Sequence, residues 1–248
     1  MLREEFKIEI CANSVMSCIE ASNGGADRVE LCAGIPEGGT TPSAGMIRSA
    51  RENINIGLNV IIRPRGGDFL YSPEEVREML YDIYLAKDYG ADGLVFGALT
   101  PGGDVDMDVM KSLMQAAGDT PVTFHRAFDH SRNPFEAMER IIGLGCARIL
   151  TSGQKASAAD GKELLASLVE KAAGRIIIMP GCGVNERNIA EIASATSARE
   201  FHFSARKLME SKMLYRNTDA SMGAESDDFS LPVTSSQRVS DTIASLIG

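Results

Sequence analysis

Residues 25–31, Gly25-Ala26-Asp27-Arg28-Val29-Glu30-Leu31, resemble residues 90–96, Gly90-Ala91-Asp92-Gly93-Leu94-Val95-Phe96. Each copy begins with a glycine that is typical of a helix end, and a short apolar run typical of a strand follows it. Residues 7–11 and 28–32 form a second such pair, with Cys11 and Cys32 at equivalent positions. The repeat indicates a chain built from successive strand–helix units.

The strand-like run occurs eight times, and a new one begins every ~21 to ~36 residues, the length of one strand–helix unit. The eight predicted strands are Phe6–Ala12, Arg28–Ala33, Gly57–Pro64, Gly93–Leu99, Pro121–Phe128, Ala147–Ser152, Arg175–Pro180 and Glu200–Ala205. Eight such units predict an α/β fold of the TIM type, a single-domain (β/α)8 barrel. A doubly wound open sheet is the alternative, but eight parallel strands in one chain favour closure.

A proline that directly follows a capping residue predicts where each of several helices begins. Ser72-Pro73-Glu74-Glu75 and Asn133-Pro134-Phe135-Glu136 combine the cap, the proline and a glutamate at the third helical position. Thr41-Pro42 has the cap and the proline alone. We therefore expect helices to start at all three places.

The strand–helix rhythm stops after Arg206. Residues 207–230 are polar and rich in serine, methionine and acidic residues, whereas residues 235–247 have helical spacing with Val239, Ile243 and Leu246 on one face. We therefore predict a barrel over residues 1–206 and a C-terminal extension over residues 207–248. The extension either seals the barrel wall or is exchanged with a second subunit.

Composition limits the classes of partner. The 248 residues carry Lys+Arg 25 against Asp+Glu 34, a net charge of −9, which disfavours nucleic acid. No apolar run approaches the ~20 residues of a membrane-spanning helix, and the first residues lack the apolar block of a secretory signal. We therefore expect a cytoplasmic protein with no membrane partner, whose five cysteines are reduced and available for metal chemistry.

Alternation along the first two strands predicts charged residues inside the barrel. Glu9 shares one side of its strand with Cys11, and Glu30 shares one side with Arg28 and Cys32. Buried charges cost several kcal/mol each unless they are paired. Two interpretations stay open. The charges form a structural lattice of ion pairs, Glu9 and Glu30 against Arg28, Arg63 and Arg65, or they shape a polar cavity for an anionic ligand.

In a barrel of this type, active groups lie at the carboxyl ends of the strands and in the loops after them. Arg63 and Arg65 follow the third strand and suit a carboxylate or phosphate, while strand eight carries His202 and Ser204. The candidates for acid–base catalysis are Glu30, His125 and Asp129. The candidate ligand-binding residues are Glu9, Arg63, Arg65, Arg126, Thr151, Ser152, Gly181, Gly183 and Ser204. Gly181 and Gly183 lie where a phosphate docks in this fold, and a tight turn is the alternative.

The two equivalent cysteines are candidate metal ligands. Adjacent parallel strands lie ~4.8 Å apart, so the thiols of Cys11 and Cys32 could contact one ion, although the stagger of a barrel weakens this argument. Soft thiolates favour Cu(I) or zinc, and without a C-x-x-C motif a closed structural zinc site is disfavoured. The alternative role of each cysteine is that of a small buried apolar residue.

Several longer motifs resemble the CutC family of copper homeostasis proteins. The matching stretches are Gly25–Cys32, Ile62-Arg63-Pro64-Arg65-Gly66-Gly67-Asp68-Phe69, Thr123-Phe124-His125-Arg126-Ala127-Phe128-Asp129, Leu150–Gln154 and Tyr215-Arg216-Asn217. The resemblance implies a cytoplasmic TIM-barrel-like protein, a homodimer or higher homo-oligomer, that binds Cu(I) through Cys11 and Cys32. An enzyme of unassigned reaction that acts on a small anionic or phosphorylated metabolite is the alternative function, and no organic cofactor is expected.

Overall fold

The computed structural model of the protein describes residues 2–217, 219–220 and 228–248. Eight strands alternate with helices in the order that the repeat predicts. The strands are β1 Lys7–Ala12, β2 Arg28–Leu31, β3 Gly57–Ile61, β4 Gly93–Phe96, β5 Val122–Phe124, β6 Arg148–Thr151, β7 Ile177–Pro180 and β8 Glu200–Phe203. The helices between them are α1 Val15–Asn23, α2 Ala44–Asn53, α3 Pro73–Asp88, α4 Met107–Ala117, α5 Pro134–Gly143, α6 Lys162–Ala172 and α7 Ile189–Thr196.

The eight strands form one parallel sheet that is nearly closed. Their order is β7-β6-β5-β4-β3-β2-β1-β8, so the first strand pairs with both the second and the eighth. Strands β7 and β8 lie side by side at the two edges and bring the sheet round into a ring. The predicted TIM-type barrel is confirmed, and the open doubly wound sheet is wrong.

The last part of the chain returns to the barrel wall. An antiparallel hairpin of β9 Arg206–Glu210 and β10 Ser230–Thr234 follows β8, and α8 Ser236–Ile247 then packs against α7 and α1. Helix α8 therefore occupies the eighth position of the helical ring. Residues 218 and 221–227 of the predicted extension lie outside the described residues, and the division of the chain at residue 206 stays a prediction.

Every helix of the described residues is too short or too polar to cross a membrane.

Two of the three predicted helix starts are confirmed. Helix α3 begins behind the capping side chain of Ser72, and α5 begins behind that of Asn133. The third is wrong, because α2 is capped by Ser43, whose hydroxyl accepts a hydrogen bond from the helix. The hydroxyl of Thr41 is used elsewhere, since it accepts the backbone N–H of Arg63 at 2.9 Å.

The two faces of the sheet differ in chemistry. Outward side chains such as Ile8, Ile10 and Leu31 are fully buried against the helices. The inward side chains of Glu9 and Glu30 are also buried, as the strand alternation predicts. The barrel therefore has an apolar outer core and a polar interior.

Arg28 is the centre of the polar interior. Its Nε lies 2.6 Å from Glu9 Oε2, and one terminal nitrogen lies 2.5 Å from Glu200 Oε2. Arg148 Nε also contacts Glu200, at 2.7 Å, and the amide of Asn59 donates to Glu9 at 2.8 Å. An ion-pair lattice is present. Glu9 and Arg28 belong to it as predicted, and Glu30 joins it through His202. Arg63 and Arg65 lie outside it, because they bond other groups.

These contacts determine the ionisation of Glu9. Burial alone would raise the pKa of this carboxyl, but the charge of Arg28 and the hydrogen bond and charge of His202 outweigh it and hold the pKa well below its usual range. Glu9 is therefore a buried, fully paired carboxylate.

We predict that Arg28→Met lowers the free energy of unfolding by about 3–5 kcal/mol, because it leaves Glu9 and Glu200 buried without their main cation. Denaturant unfolding monitored by circular dichroism measures this change. Arg48→Met is the matched control, since Arg48 forms an exposed pair with Glu52, and it should change the free energy by less than about 1 kcal/mol.

The ion pair of Glu9 and Arg28 also predicts how the free energy of unfolding depends on pH. Because the folded-state pKa of Glu9 is lowered, its stabilisation is present above the unfolded-state pKa and is lost as the pH falls. The wild type should therefore lose unfolding free energy steadily as the pH falls below about 4.5, the usual value for glutamate. Arg28→Met should lose less over the same range. Equal slopes for the two proteins would contradict the assignment.

Candidate metal centre

A cavity with two lobes opens at the carboxyl ends of the strands. The larger lobe has a volume of about 420 Å³ and the smaller lobe about 250 Å³. Cys11, Gly38, Arg126 and His202 line both lobes, so the two are parts of one opening. The cavity lies where active sites occur in barrels of this type.

Three possible metal ligands converge where the lobes meet. Cys11 lies on β1, Glu30 on β2 and His202 on β8, and one ligand atom from each lies within 4.8 Å of the others. The register of the sheet causes this, because β1 pairs with both other strands and Cys11 lies directly opposite Glu30. Strands distant in sequence thus bring a thiol, a carboxylate and an imidazole together.

Cys32 adds a second sulfur. It follows the end of β2, two residues beyond Glu30, and its Sγ lies 3.7 Å from Cys11 Sγ. Cys32 is buried, whereas Cys11 is partly open to the cavity. The structure therefore brings the two cysteines together, although the register places Glu30 and not Cys32 opposite Cys11.

The buried lattice orients the ring of His202. Its Nδ1 lies 2.7 Å from Glu9 Oε1, and its Nε2 lies 3.4 Å from Glu30 Oε2. A carboxylate behind the imidazole is the usual arrangement for a metal-binding histidine, because it fixes the ring and leaves the other nitrogen for the ion.

The two thiols differ in acidity. The hydrogen bond with Cys32 lowers the pKa of Cys11 most, burial opposes it, and His202 and Arg206 lower it further, to well below the ordinary value. A terminal nitrogen of Arg206 lies 3.3 Å from Cys11 Sγ. The hydrogen bond with Cys11 and burial raise the pKa of Cys32 above the ordinary value. Cys11, which lies beside Arg206, is therefore the more acidic thiol of the pair.

The pKa values of Glu30 and His202 are both raised, for different reasons. Burial raises the pKa of Glu30 to about 8, although the charge of His202 opposes this. Burial would lower the pKa of His202, but the charge of Glu30 and the hydrogen bonds with Cys11 and Glu9 raise it well above its usual value. The cluster therefore contains protons that an arriving metal ion can displace.

His125 lines the smaller lobe as a neutral ring. Its Nδ1 accepts the backbone N–H of Ala127 at 3.3 Å, and its Nε2 is buried with no partner among the described residues. Burial and the charge of Arg63 lower its pKa to about 3. His125 and Asp129 do not form a pair, because Asp129 is bonded to other groups.

Asp129 instead organises the loop after β6. Its two oxygens accept the hydroxyl of Thr151 at 2.5 Å, that of Ser152 at 3.0 Å and the backbone N–H of Gln154 at 3.1 Å. Nε of Arg126 lies 2.8 Å from the same carboxylate. Four predicted site residues are therefore neighbours, and Arg126 is the one of them that lines the cavity.

The two arginines after β3 do not form a clamp. Arg63 lines the smaller lobe, but its terminal nitrogens donate to the carbonyl oxygens of Glu37, Gly39 and Gly67. Arg65 lines neither lobe, and its Nε lies 2.5 Å from Glu75.

Of the remaining predicted ligand residues, some line the cavity and others lie in the barrel below it. Glu9 lies below the cavity, in the barrel interior, and Gly183 and Ser204 line the larger lobe. Gly181 lies where a Cβ atom would come within 2.4 Å of Leu150, so its role is close packing beneath His202.

The lists of candidate site residues left out His202, Arg206 and Arg238, which line the cavity. The alternation that places Glu9 inward also places Glu200 and His202 inward on β8, so the signal for His202 was present. Arg238 lies on α8, and nothing in the repeat connects that helix with the mouth.

We predict that the ring of His125 stays neutral between pH 8 and pH 5, because its pKa is lowered to about 3. Nitrogen-15 shifts of the imidazole rings report this directly, and the chain has only three histidines to assign. The spectrum of His130→Gln separates its exposed ring from the two buried ones. A midpoint for His125 above pH 5 would contradict the prediction.

Comparison with known proteins identifies the family of this chain. The sequence model of the CutC family matches residues 6–207. A CutC family protein of Bacteroides thetaiotaomicron is 58% identical over 98% of this chain and 99% of its own length. The human copper homeostasis protein cutC homolog is 49% identical over 94% of this chain and 86% of its own length.

Solved structures support the same family and the same fold. A CutC protein of Streptococcus agalactiae superimposes with a TM-score of 0.77 at 34% identity, over 80% of this chain and 98% of that one. N-(5'-phosphoribosyl)anthranilate isomerase of Pyrococcus furiosus has a TM-score of 0.58 at 14% identity, over 98% of both chains, which shows a shared barrel fold alone. The sequence match over nearly the whole length and the shared barrel place this chain in the CutC family of copper homeostasis proteins.

Proposed function

We propose that the protein binds Cu(I) at the mouth of the barrel, with Cys11 and Cys32 as thiolate ligands. The observation that carries this proposal is the separation of 3.7 Å between the two sulfurs beside a cavity. A metal–thiolate bond is about 2.3 Å long for zinc, so one ion can contact two sulfurs up to about 4.6 Å apart. The pair needs no rearrangement of the barrel to share an ion.

The donor set favours Cu(I) over a hard cation. Two soft sulfurs and an imidazole suit Cu(I), whereas magnesium and calcium require mainly oxygen ligands. The lowered pKa of Cys11 supplies one thiolate before the ion arrives, and Arg206 stabilises its charge. Binding of the ion would release the proton of Cys32.

His202 and Glu30 complete the surroundings of the ion. Nε2 of His202 faces the cluster, and Glu9 supports the ring from behind. The ion would compete for this nitrogen with the proton that the raised pKa of His202 favours. His202 is therefore a third ligand whose contribution increases with pH.

The relatives support a role in copper handling. The human relative is named a copper homeostasis protein, and its similarity extends over nearly all of this chain. All five cysteines are free thiols, which fits the cytoplasmic location that we propose. We further propose a homo-oligomer, since the hairpin region exposes the apolar side chains of Leu208, Met213, Leu214, Tyr215 and Leu231.

Catalysis on a small anionic molecule is the second candidate function. The observation in its favour is the size of the larger lobe, about 420 Å³, which exceeds what one ion requires. Glu30, whose pKa is raised to about 8, would then be the candidate proton donor.

We predict that Cys11→Ser/Cys32→Ser lowers the Cu(I) affinity at least about a hundredfold, because hydroxyl oxygens are poor ligands for a soft ion. Titration of the reduced protein with Cu(I) against a competing chelator measures the affinity. Cys182→Ser is the matched control, since Cys182 also lines the larger lobe and its hydrogen bond to the carbonyl oxygen of Ala156 can be kept by serine.

The control variant should bind Cu(I) like the wild type. An affinity unchanged in the double variant would refute the assignment of the ligands. Loss of affinity in Cys182→Ser but not in the double variant would move the site to the loop after β7.

A further inference from the structure

We propose that the larger lobe of the cavity is a binding site for the phosphate group of a small phosphate ester. The proposal goes beyond copper binding and does not depend on it. It rests on three arginines, on two backbone amides that have no partner among the described residues, and on the volume of the lobe. If the protein is an enzyme, which is the second candidate function, a phosphate ester is the class of its substrate.

The three arginines converge from separate parts of the chain. Arg126 follows β5, Arg206 begins β9, and Arg238 lies in α8, and all three line the larger lobe. The planar guanidinium group matches the geometry of phosphate and can bind it with two hydrogen bonds. Three such groups around one opening supply many hydrogen-bond donors to the same space.

Several donors of these arginines are not used by the protein. Arg126 bonds Asp129 through Nε and Ser152 through one terminal nitrogen, and the other terminal nitrogen has no partner among the residues that the structure describes. Nε of Arg206 is buried and likewise has no partner within the described ranges. A buried donor without a partner is costly, so an acceptor from a ligand would stabilise Nε of Arg206, while the terminal nitrogen of Arg126 is open to the same ligand.

The loop after β7 adds backbone donors. The N–H groups of Gly183 and Val184, which line the lobe, have no hydrogen-bond partner in the described part of the chain. Cys182 and Ala205 line the same lobe and have left-handed backbones, with φ of 74° and 46°. Non-glycine residues in this conformation are strained and concentrate at ligand sites, and free amides in turns bind anions.

Each of the three arginines already has one acidic partner. Glu186 lines the lobe, and its carboxylate lies 3.5 Å from a terminal nitrogen of Arg238. Cys11 Sγ lies 3.3 Å from a terminal nitrogen of Arg206, and Asp129 lies 2.8 Å from Nε of Arg126. Each guanidinium group therefore lies beside one acidic side chain, and the donors that these partners leave unused are the ones a phosphate would bind.

The volume indicates an ester rather than free phosphate. About 420 Å³ lies in the range of small-molecule sites, about 300–1,000 Å³, and leaves room for an organic group. The smaller lobe continues from the larger one past Cys11 and His202. A ligand held by its phosphate at the arginines would therefore extend its organic part toward the thiols.

Calorimetry on the reduced, copper-free protein tests the proposal. The probes are glycerol 3-phosphate, ribose 5-phosphate, inorganic phosphate and ribose. We expect at least one ester to bind more tightly than inorganic phosphate, and ribose not to bind. Arg126→Met and Arg238→Met should each weaken ester binding about tenfold or more, because each removes charged hydrogen bonds to the phosphate. Arg48→Met removes the same charge from the exposed surface and should leave binding unchanged.

The outcomes are distinct. No binding of either ester, or ester affinity equal to that of inorganic phosphate, would overturn the proposal. Equal ester affinity in the wild type and in both cavity variants would also overturn it. Thermal unfolding identifies a variant that fails to fold, and the other variant then decides. Since no copper is present, a failure here is separate from a failure of the Cu(I) proposal.

Discussion

The buried carboxylate of Glu9 connects the floor of the barrel with its mouth. One of its oxygens accepts hydrogen bonds from Arg28 and Asn59, and the other contacts Nδ1 of His202. A polar barrel interior is stable only when its charges are paired, and this pairing also fixes the ring that faces the thiols. The stability of the fold and the geometry of the candidate site thus depend on one group.

The mouth of the barrel above Glu9 has two parts that differ in chemistry. Thiols, an imidazole and a carboxylate meet where β1, β2 and β8 adjoin, whereas three arginines and the loop after β7 line the larger lobe. Arg206 belongs to both, because it contacts Cys11 and lines the larger lobe. A soft metal ion and an anionic group would therefore occupy adjacent positions and would influence one another through this arginine.

Much of the fold could be predicted because each strand–helix unit repeats a local pattern. Alternation placed Glu9 and Glu30 inward, and the repeated cysteines indicated a pair of thiols. Contacts between distant elements could not be predicted in the same way. Arg65 shares a motif with Arg63 but pairs with Glu75 on α3, and Arg238 reaches the mouth only because α8 completes the ring.

X-ray absorption at the copper edge of the Cu(I)-loaded protein tests most directly whether the thiols held above Glu9 are the metal ligands. We predict two sulfur atoms in the first coordination shell of the wild type, and their loss in Cys11→Ser/Cys32→Ser. A shell of nitrogen and oxygen atoms alone in the wild type, or two sulfurs that persist in the double variant, would contradict it.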